Sequence, residues 1–106
     1  MPNFVLLFTG GGMPETEEEQ AKVMAAWGAW YTELGEAVKD GGNPFSGAAK
    51  NISSNGTVKD GPIGTMATGY TIIDADSMDS ALGMAKGCPI LAGGGQITVY
   101  ETFDVM

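Results

Sequence analysis

The stretch Gly69-Tyr70-Thr71-Ile72-Ile73-Asp74-Ala75-Asp76-Ser77-Met78 passes from a strand pattern to the start of a helix. Tyrosine, threonine and two isoleucines suit a pleated, half-buried strand over residues 69–74. Asp76 or Ser77 then offers a side-chain oxygen to cap a helix. Its apolar residues Met78, Ala81, Leu82 and Ala85 fall at i, i+3, i+4 and i+7, the spacing of one helix face. Lys86, Gly87 and Pro89 close that helix in the expected order. After a loop through Gly93-Gly94-Gly95, Ile97, Val99 and Phe103 alternate with Thr98, Tyr100 and Thr102 in a second strand, residues 96–103. The C-terminal half is therefore β-α-β.

Outward from it, the N-terminal half has the same beginning. Residues 3–9, Asn-Phe-Val-Leu-Leu-Phe-Thr, form a nearly continuous apolar run of strand length, which suits a central strand buried on both faces. The turn Gly10-Gly11-Gly12 follows; its spacing matches neither a dinucleotide fingerprint nor a P-loop, and no basic residue comes before Lys22. Thr16 with Glu19 makes a capping box, and Glu17 and Glu18 complement the helix dipole, so the acidic run is a solvated first turn. Met24, Trp27, Tyr31, Leu34 and Val38 mark one face of a helix expected over residues 16–39, ending at Asp40-Gly41-Gly42. Trp30 lies beside that stripe, facing a pocket or a dimer partner. Gly28 and Gly35 inside the helix each cost about 1 kcal/mol relative to alanine.

Asn55-Gly56 is a two-residue hairpin signal between short polar strands at residues 49–54 and 57–59. Asp60-Gly61-Pro62 reads as a turn. The order strand, long helix, hairpin strands, strand, short helix, strand gives an α+β fold. It is ferredoxin-like β-α-β-β-α-β, with a four-stranded antiparallel sheet plus a small hairpin. Residues 1–106 make a single domain. Two helices cover one sheet face only. Two sheets meeting face to face would bury the other, which predicts a two-fold homodimer.

Composition narrows the chemistry. Thirteen acidic residues stand against five lysines, a formal charge of −8, and arginine and histidine are absent. This field opposes nucleic acid and anionic membrane surfaces. Without histidine there is no Ser-His-Asp or Cys-His catalysis and no His-ligated zinc. Without arginine there is no bidentate clamp for carboxylate or phosphate. The single Cys88 forms no internal disulfide and reads as a small buried hydrophobe. No apolar run approaches the ~20 residues that span a bilayer. The N-terminus lacks the basic stretch of a secretory leader, so a cytoplasmic location is expected.

The candidate site is a small-molecule pocket lined by Trp27, Trp30, Tyr31 and Tyr70, with Asp60 as its polar group. A desolvated Asp60 would act as a base, and Tyr31 or Tyr70 would donate a hydrogen bond to a developing oxyanion. Cofactor-free isomerisation or elimination is the matching reaction class. The competing reading makes Asp60 a turn cap and the aromatics core. Asp74, Asp76 and Asp79 lack the EF-hand spacing, and helix capping explains Asp76 and Asp79 better, so no metal is expected.

Several of these segments, taken together, resemble the YCII-related family in its DGPF branch. They are the opening strand, the helix entered through Pro14-Glu15, the Trp27-Gly28 and Leu34 pattern, and Asp60-Gly61-Pro62-Ile63. Gly69-Tyr70-x-Ile72-Ile73-Asp74-Ala75-Asp76, the helix at residues 81–86 with Gly87-Cys88-Pro89, and the closing Gly-Gly-x-Ile-x-Val-x-Glu strand complete the set. The resemblance covers nearly the whole chain and implies a dimeric α+β barrel. It implies an enzymatic role built on an aspartate, here Asp60. It also implies an alternative, a non-enzymatic sensing or regulatory module associated with an extracytoplasmic-function sigma factor. The chain departs from the branch in having no histidine and in reading Asp-Gly-Pro-Ile where the branch has Asp-Gly-Pro-Phe followed by acidic residues.

Overall fold

A computed structural model describes residues 2–12 and 14–105. Strand β1 spans Asn3–Thr9, and its continuous apolar run resolves into two faces: Phe4, Leu6 and Phe8 are buried while Val5, Leu7 and Thr9 are half-buried. Helix α1 spans Glu17–Leu34, begun by Thr16, whose side chain accepts the Glu19 amide at 3.2 Å. It stops at Gly35, five residues before the expected end. Gly35 takes φ +56°, a left-handed conformation that favours glycine, and its amide caps the Tyr31 carbonyl. A 3-10 turn at Gly35–Ala37 leads into strand β2, Val38–Asp40. Val38 is therefore a strand residue, and the second strand of the main sheet is this short segment rather than part of the hairpin.

Strands β3 (Lys50–Ile52) and β4 (Val58–Asp60) form a separate two-stranded hairpin. Its turn is a three-residue loop: the Ser53 amide bonds the Thr57 carbonyl and the Gly56 amide bonds the Ser53 carbonyl, both at 2.8 Å. Gly56 sits at φ +88°, while Asn55, outside the left-handed region, accepts the Thr57 amide. A two-residue type I′ turn needs positive φ at both central positions, and here only Gly56 adopts it, as the left-handed residue that closes a three-residue loop.

Strand β5 spans Ala67–Asp74, helix α2 Met78–Ala85 with Ser77 as cap, and strand β6 Gln96–Glu101. The main sheet runs β2-β5-β1-β6, antiparallel throughout, which is the ferredoxin-like order. Register carries the core across it: Phe4 faces Ile73, Leu6 faces Thr71 and Val99, and Phe8 faces Gly69 and Ile97. Over this face pack Trp30 from α1 and Ala81 and Ala85 from α2, together with Cys88. Both helices thus cover one side. On the other lie Val5, Leu7, Tyr70 and Ile72, half-buried, and Tyr100, exposed. Met24, expected on the buried stripe of α1, is 59% exposed, and Phe103, expected in β6, is 82% exposed beyond the end of the strand. No described helix is long and apolar enough to cross a membrane.

Candidate functional site

A cavity of about 690 Å³ opens between α1 and the end of the sheet where β1 finishes and β5 starts. That volume lies within the usual range for a small-molecule site. Its floor is Phe8 and Gly69, and its helix wall is Val23, Trp27 and Tyr31. Residues 10–12, 41–44, 89, 90, 92 and 93 supply the rim. Phe8 meets Trp27 edge-on at 5.5 Å, and Trp27 lies 6.0 Å from Tyr31, so the three rings form one continuous apolar wall.

Glycines shape this rim because chain and side chains approach closely there. Gly42 has φ +73°, and a Cβ on it would overlap the Tyr70 carbonyl. At Gly11, φ is +71° and a Cβ would stand 2.9 Å from Ile90 Cγ1. The turn that follows β1 is thus a fitted wall. Polar ties hold it: Tyr31 Oη donates to the Gly41 carbonyl at 3.0 Å, and the buried Thr71 hydroxyl donates to the same oxygen at 3.1 Å. Thr68 Oγ1 donates to the Gly10 carbonyl at 3.2 Å, tying the start of β5 to the turn that follows β1. Lys22 is the one charged lining side chain among the described residues.

The structure separates the residues expected to share the site. Trp27 and Tyr31 line the cavity. Trp30 does not: it is 3% exposed, and its Nε1 donates to the Met84 carbonyl at 2.9 Å, which makes it a core residue tying α1 to α2. Tyr70 borders the cavity, but its register opposite Leu7 turns its side chain to the open sheet face. There its ring stacks on Phe45 at 5.9 Å and its hydroxyl reaches Asp40 at 3.4 Å.

Asp60 is outside the cavity, on β4, with its side chain 90% exposed and paired to Lys50 Nζ at 2.9 Å. The carboxylate is neither desolvated nor bonded to its own turn, because the hairpin that carries it extends away from the body instead of folding back. Asp74 is taken by Lys39 at 3.2 Å, and among the described residues no group of acidic or sulfur side chains is placed to hold a metal. Cys88 is buried, and that burial pushes its thiol up to about 11, against its use as a nucleophile.

Among the lining residues that sequence reasoning missed are Phe8, Lys22, Gly42, Asn43 and Ile90. Only the Gly41-Gly42 pair carried a local signal, and it was read as a helix stop.

No protein-family model matches the sequence, and no curated protein matches it. Among solved structures the fold is similar to 5-chloro-2-hydroxyhydroquinone dehydrochlorinase (TftG) from Burkholderia phenoliruptrix AC1100, in complex with 2,5-dihydroxybenzoquinone. The TM-score is 0.58 at 17% sequence identity, over 95% of this chain and 93% of that one. This likeness establishes the α+β fold over essentially the whole chain.

Proposed function

We propose that this chain is a small-molecule-binding homodimer of the YCII-related type, and that its cavity takes a planar aromatic ring bearing oxygen substituents. The observation that carries the reading is the cavity wall of Phe8, Trp27 and Tyr31, apolar and aromatic, with Lys22 as the charged group at its edge. A ring packs on those side chains, and a phenolate or enolate oxygen is drawn to the ammonium. In a chain of net charge −8, the absence of any carboxylate from the described lining favours a neutral or anionic ligand over a cation. The fold neighbour's quinone complex supports the same ligand class. The homodimer reading is supported by the open sheet face, where Val5, Leu7, Ile72 and Tyr100 offer a surface for a second sheet.

A second reading, cofactor-free elimination, is favoured by the neighbour's dehydrochlorinase activity. It does not run through Asp60 of the same subunit, which is off the cavity. The titratable side chains on the helix wall are Lys22 and Tyr31.

Isothermal titration of the full chain with 2,5-dihydroxybenzoquinone, catechol and cyclohexanediol tests the site. Saturable binding of the planar ligands, weakened in Lys22→Met, supports it. Equal binding of the saturated diol, or no binding to about 1 mM, refutes it. Chloride release from a chlorinated hydroxyhydroquinone separates catalysis from binding.

A further inference from the structure

We propose that the hairpin formed by β3 and β4 is an arm that docks on a second copy of this chain. This inference rests on the homodimer reading and goes beyond it, because the dimer argued above needs only the open sheet face.

The arm has no cover of its own. Every residue from 54 to 60 is exposed, and among the described residues β3 and β4 pair with each other alone. Ile52 and Val58 are directly opposite in register and are 68% and 55% exposed, and Ile63 at the arm's root is 82% exposed. A two-stranded hairpin standing alone in water is marginal at best, and a cross-strand isoleucine–valine pair gains little without a surface to pack on. The projection is visible in the size of the molecule. Its radius of gyration is 15.3 Å, where a compact chain of this length has about 13 Å.

Charge points to the occupant. Residues 43–66 carry Lys50 and Lys59 against the single acid Asp60, whereas the rest of the chain holds three lysines and twelve acidic residues. The arm is the net-positive part of a strongly negative protein, so another copy's body attracts it. The Lys50–Asp60 pair lies on the Ile52–Val58 face, while Lys59 points the other way beside Asn51 and has no ion-pair partner among the described residues.

Position points to the same occupant. Just before the arm, Phe45 bonds Thr68 through its amide at 2.8 Å and stacks on Tyr70, which belongs to the open sheet face. The arm therefore leaves the body at the edge of the surface on which the second sheet is placed. Between that bond and the next rung, where the Gly61 amide meets the Ala49 carbonyl at 2.8 Å, the two chain segments are unpaired. They contain Gly47 and Gly64, both at positive φ, and Gly61, also at positive φ, stands at the rung that ends them. This glycine joint lets the arm set its angle against a partner without disturbing the sheet.

Sedimentation equilibrium on the full chain tests the proposal, with wild type, Ile52→Asp/Val58→Asp, Lys59→Glu and Tyr100→Asp compared. All four positions are exposed, and unchanged thermal unfolding of dilute monomer establishes that each variant is folded. The proposal expects a wild-type dimer whose dissociation constant rises about 100-fold in the double arm variant. It also rises several-fold in Lys59→Glu and with added salt. A photo-crosslinker placed at Val58 should join two copies. An arm variant that dimerises within about twofold of wild type, while Tyr100→Asp is dissociated, overturns the arm and leaves the sheet-face dimer standing. A wild type that stays monomeric to about 100 μM removes the homodimer itself, and the arm then belongs to another partner.

Discussion

Replacing Trp30 and Trp27 separately by phenylalanine should divide stability from binding. Trp30 is 3% exposed, donates its indole N–H to the Met84 carbonyl at 2.9 Å, and packs so closely on Gly87 that a Cβ there would stand 3.3 Å from its Cδ1. Phenylalanine keeps one ring and loses the N–H. The hydrogen bond contributes about 1 kcal/mol; Met84 still receives the Gly87 amide at 3.3 Å, so its carbonyl is not orphaned. The removed ring atoms and the void they leave add about 1–2 kcal/mol. Trp30→Phe should therefore lose about 2–3 kcal/mol, a large share of the roughly 5–15 kcal/mol typical of a domain. Trp27 is half-buried and edges the cavity, so Trp27→Phe should cost less than about 1.5 kcal/mol in folding. It should weaken dihydroxybenzoquinone binding about tenfold, because it removes part of the wall against which the ring packs. Urea unfolding by far-UV circular dichroism and calorimetric titration of each folded variant measure the two quantities. Trp30→Phe within about 0.5 kcal/mol of wild type, or equal losses of affinity in both, would refute the assignment of one tryptophan to the core and the other to the site.

Gly42→Ala forces a side chain into the left-handed region and onto the Tyr70 carbonyl. It should cost about 2–4 kcal/mol and abolish ligand binding through the displaced rim, both read from unfolding and titration. Asp60→Asn breaks an ion pair whose side chains are 69% and 90% exposed. It should change folding stability by less than about 0.5 kcal/mol and leave ligand affinity unaltered, and a tenfold loss of affinity would return Asp60 to the site. The Cys88 thiol, raised from 9.0 to about 11 by burial, is favoured in its neutral form when folded. Its contribution to stability is therefore complete below pH 9.0 and is lost as pH rises toward about 11. At pH 8 a thiol reagent should modify Cys88 only after urea is added, and rapid labelling of the folded chain would contradict the burial.

Local patterns were enough to place the opening strand, Thr16 as the cap of α1, the start of α2 at a cap of Asp76 or Ser77, and the alternation of Ile97 and Val99. In each case the information lies within a few contiguous residues: a hydroxyl that reaches an amide three residues on, or a side-chain period set by the backbone itself. The strand-helix order built from these elements was sufficient for the ferredoxin-like class. It could not reveal β2, because three residues are too few to show a period and the apolar stripe of α1 ran on smoothly into Val38. What ended the helix was Gly35, whose left-handed conformation is a backbone choice that a composition of helix formers conceals.

The site divides along the same line. That α1 carries a cluster of aromatic rings was plain from Trp27, Trp30 and Tyr31; which ring lies in the core and which lines the cavity was not. Trp27 and Trp30 are neighbours on adjacent turns, and a small rotation of the helix about its axis exchanges their surroundings. Only packing against the sheet and α2 sets that rotation. Tyr70 was assigned to the pocket and does border it, yet the period-two pleat of β5 and its register with Leu7 turn its side chain toward the open sheet face. Asp60 was grouped with rings from which the projecting hairpin separates it, since the direction of a hairpin depends on long-range contacts that its own residues do not encode. The sequence by itself thus determined the elements, their caps and the sign of the protein's field. The tertiary structure alone decided which of those side chains meet, because that depends on helix rotation, strand register and arm direction, each fixed by contacts between residues far apart in the chain.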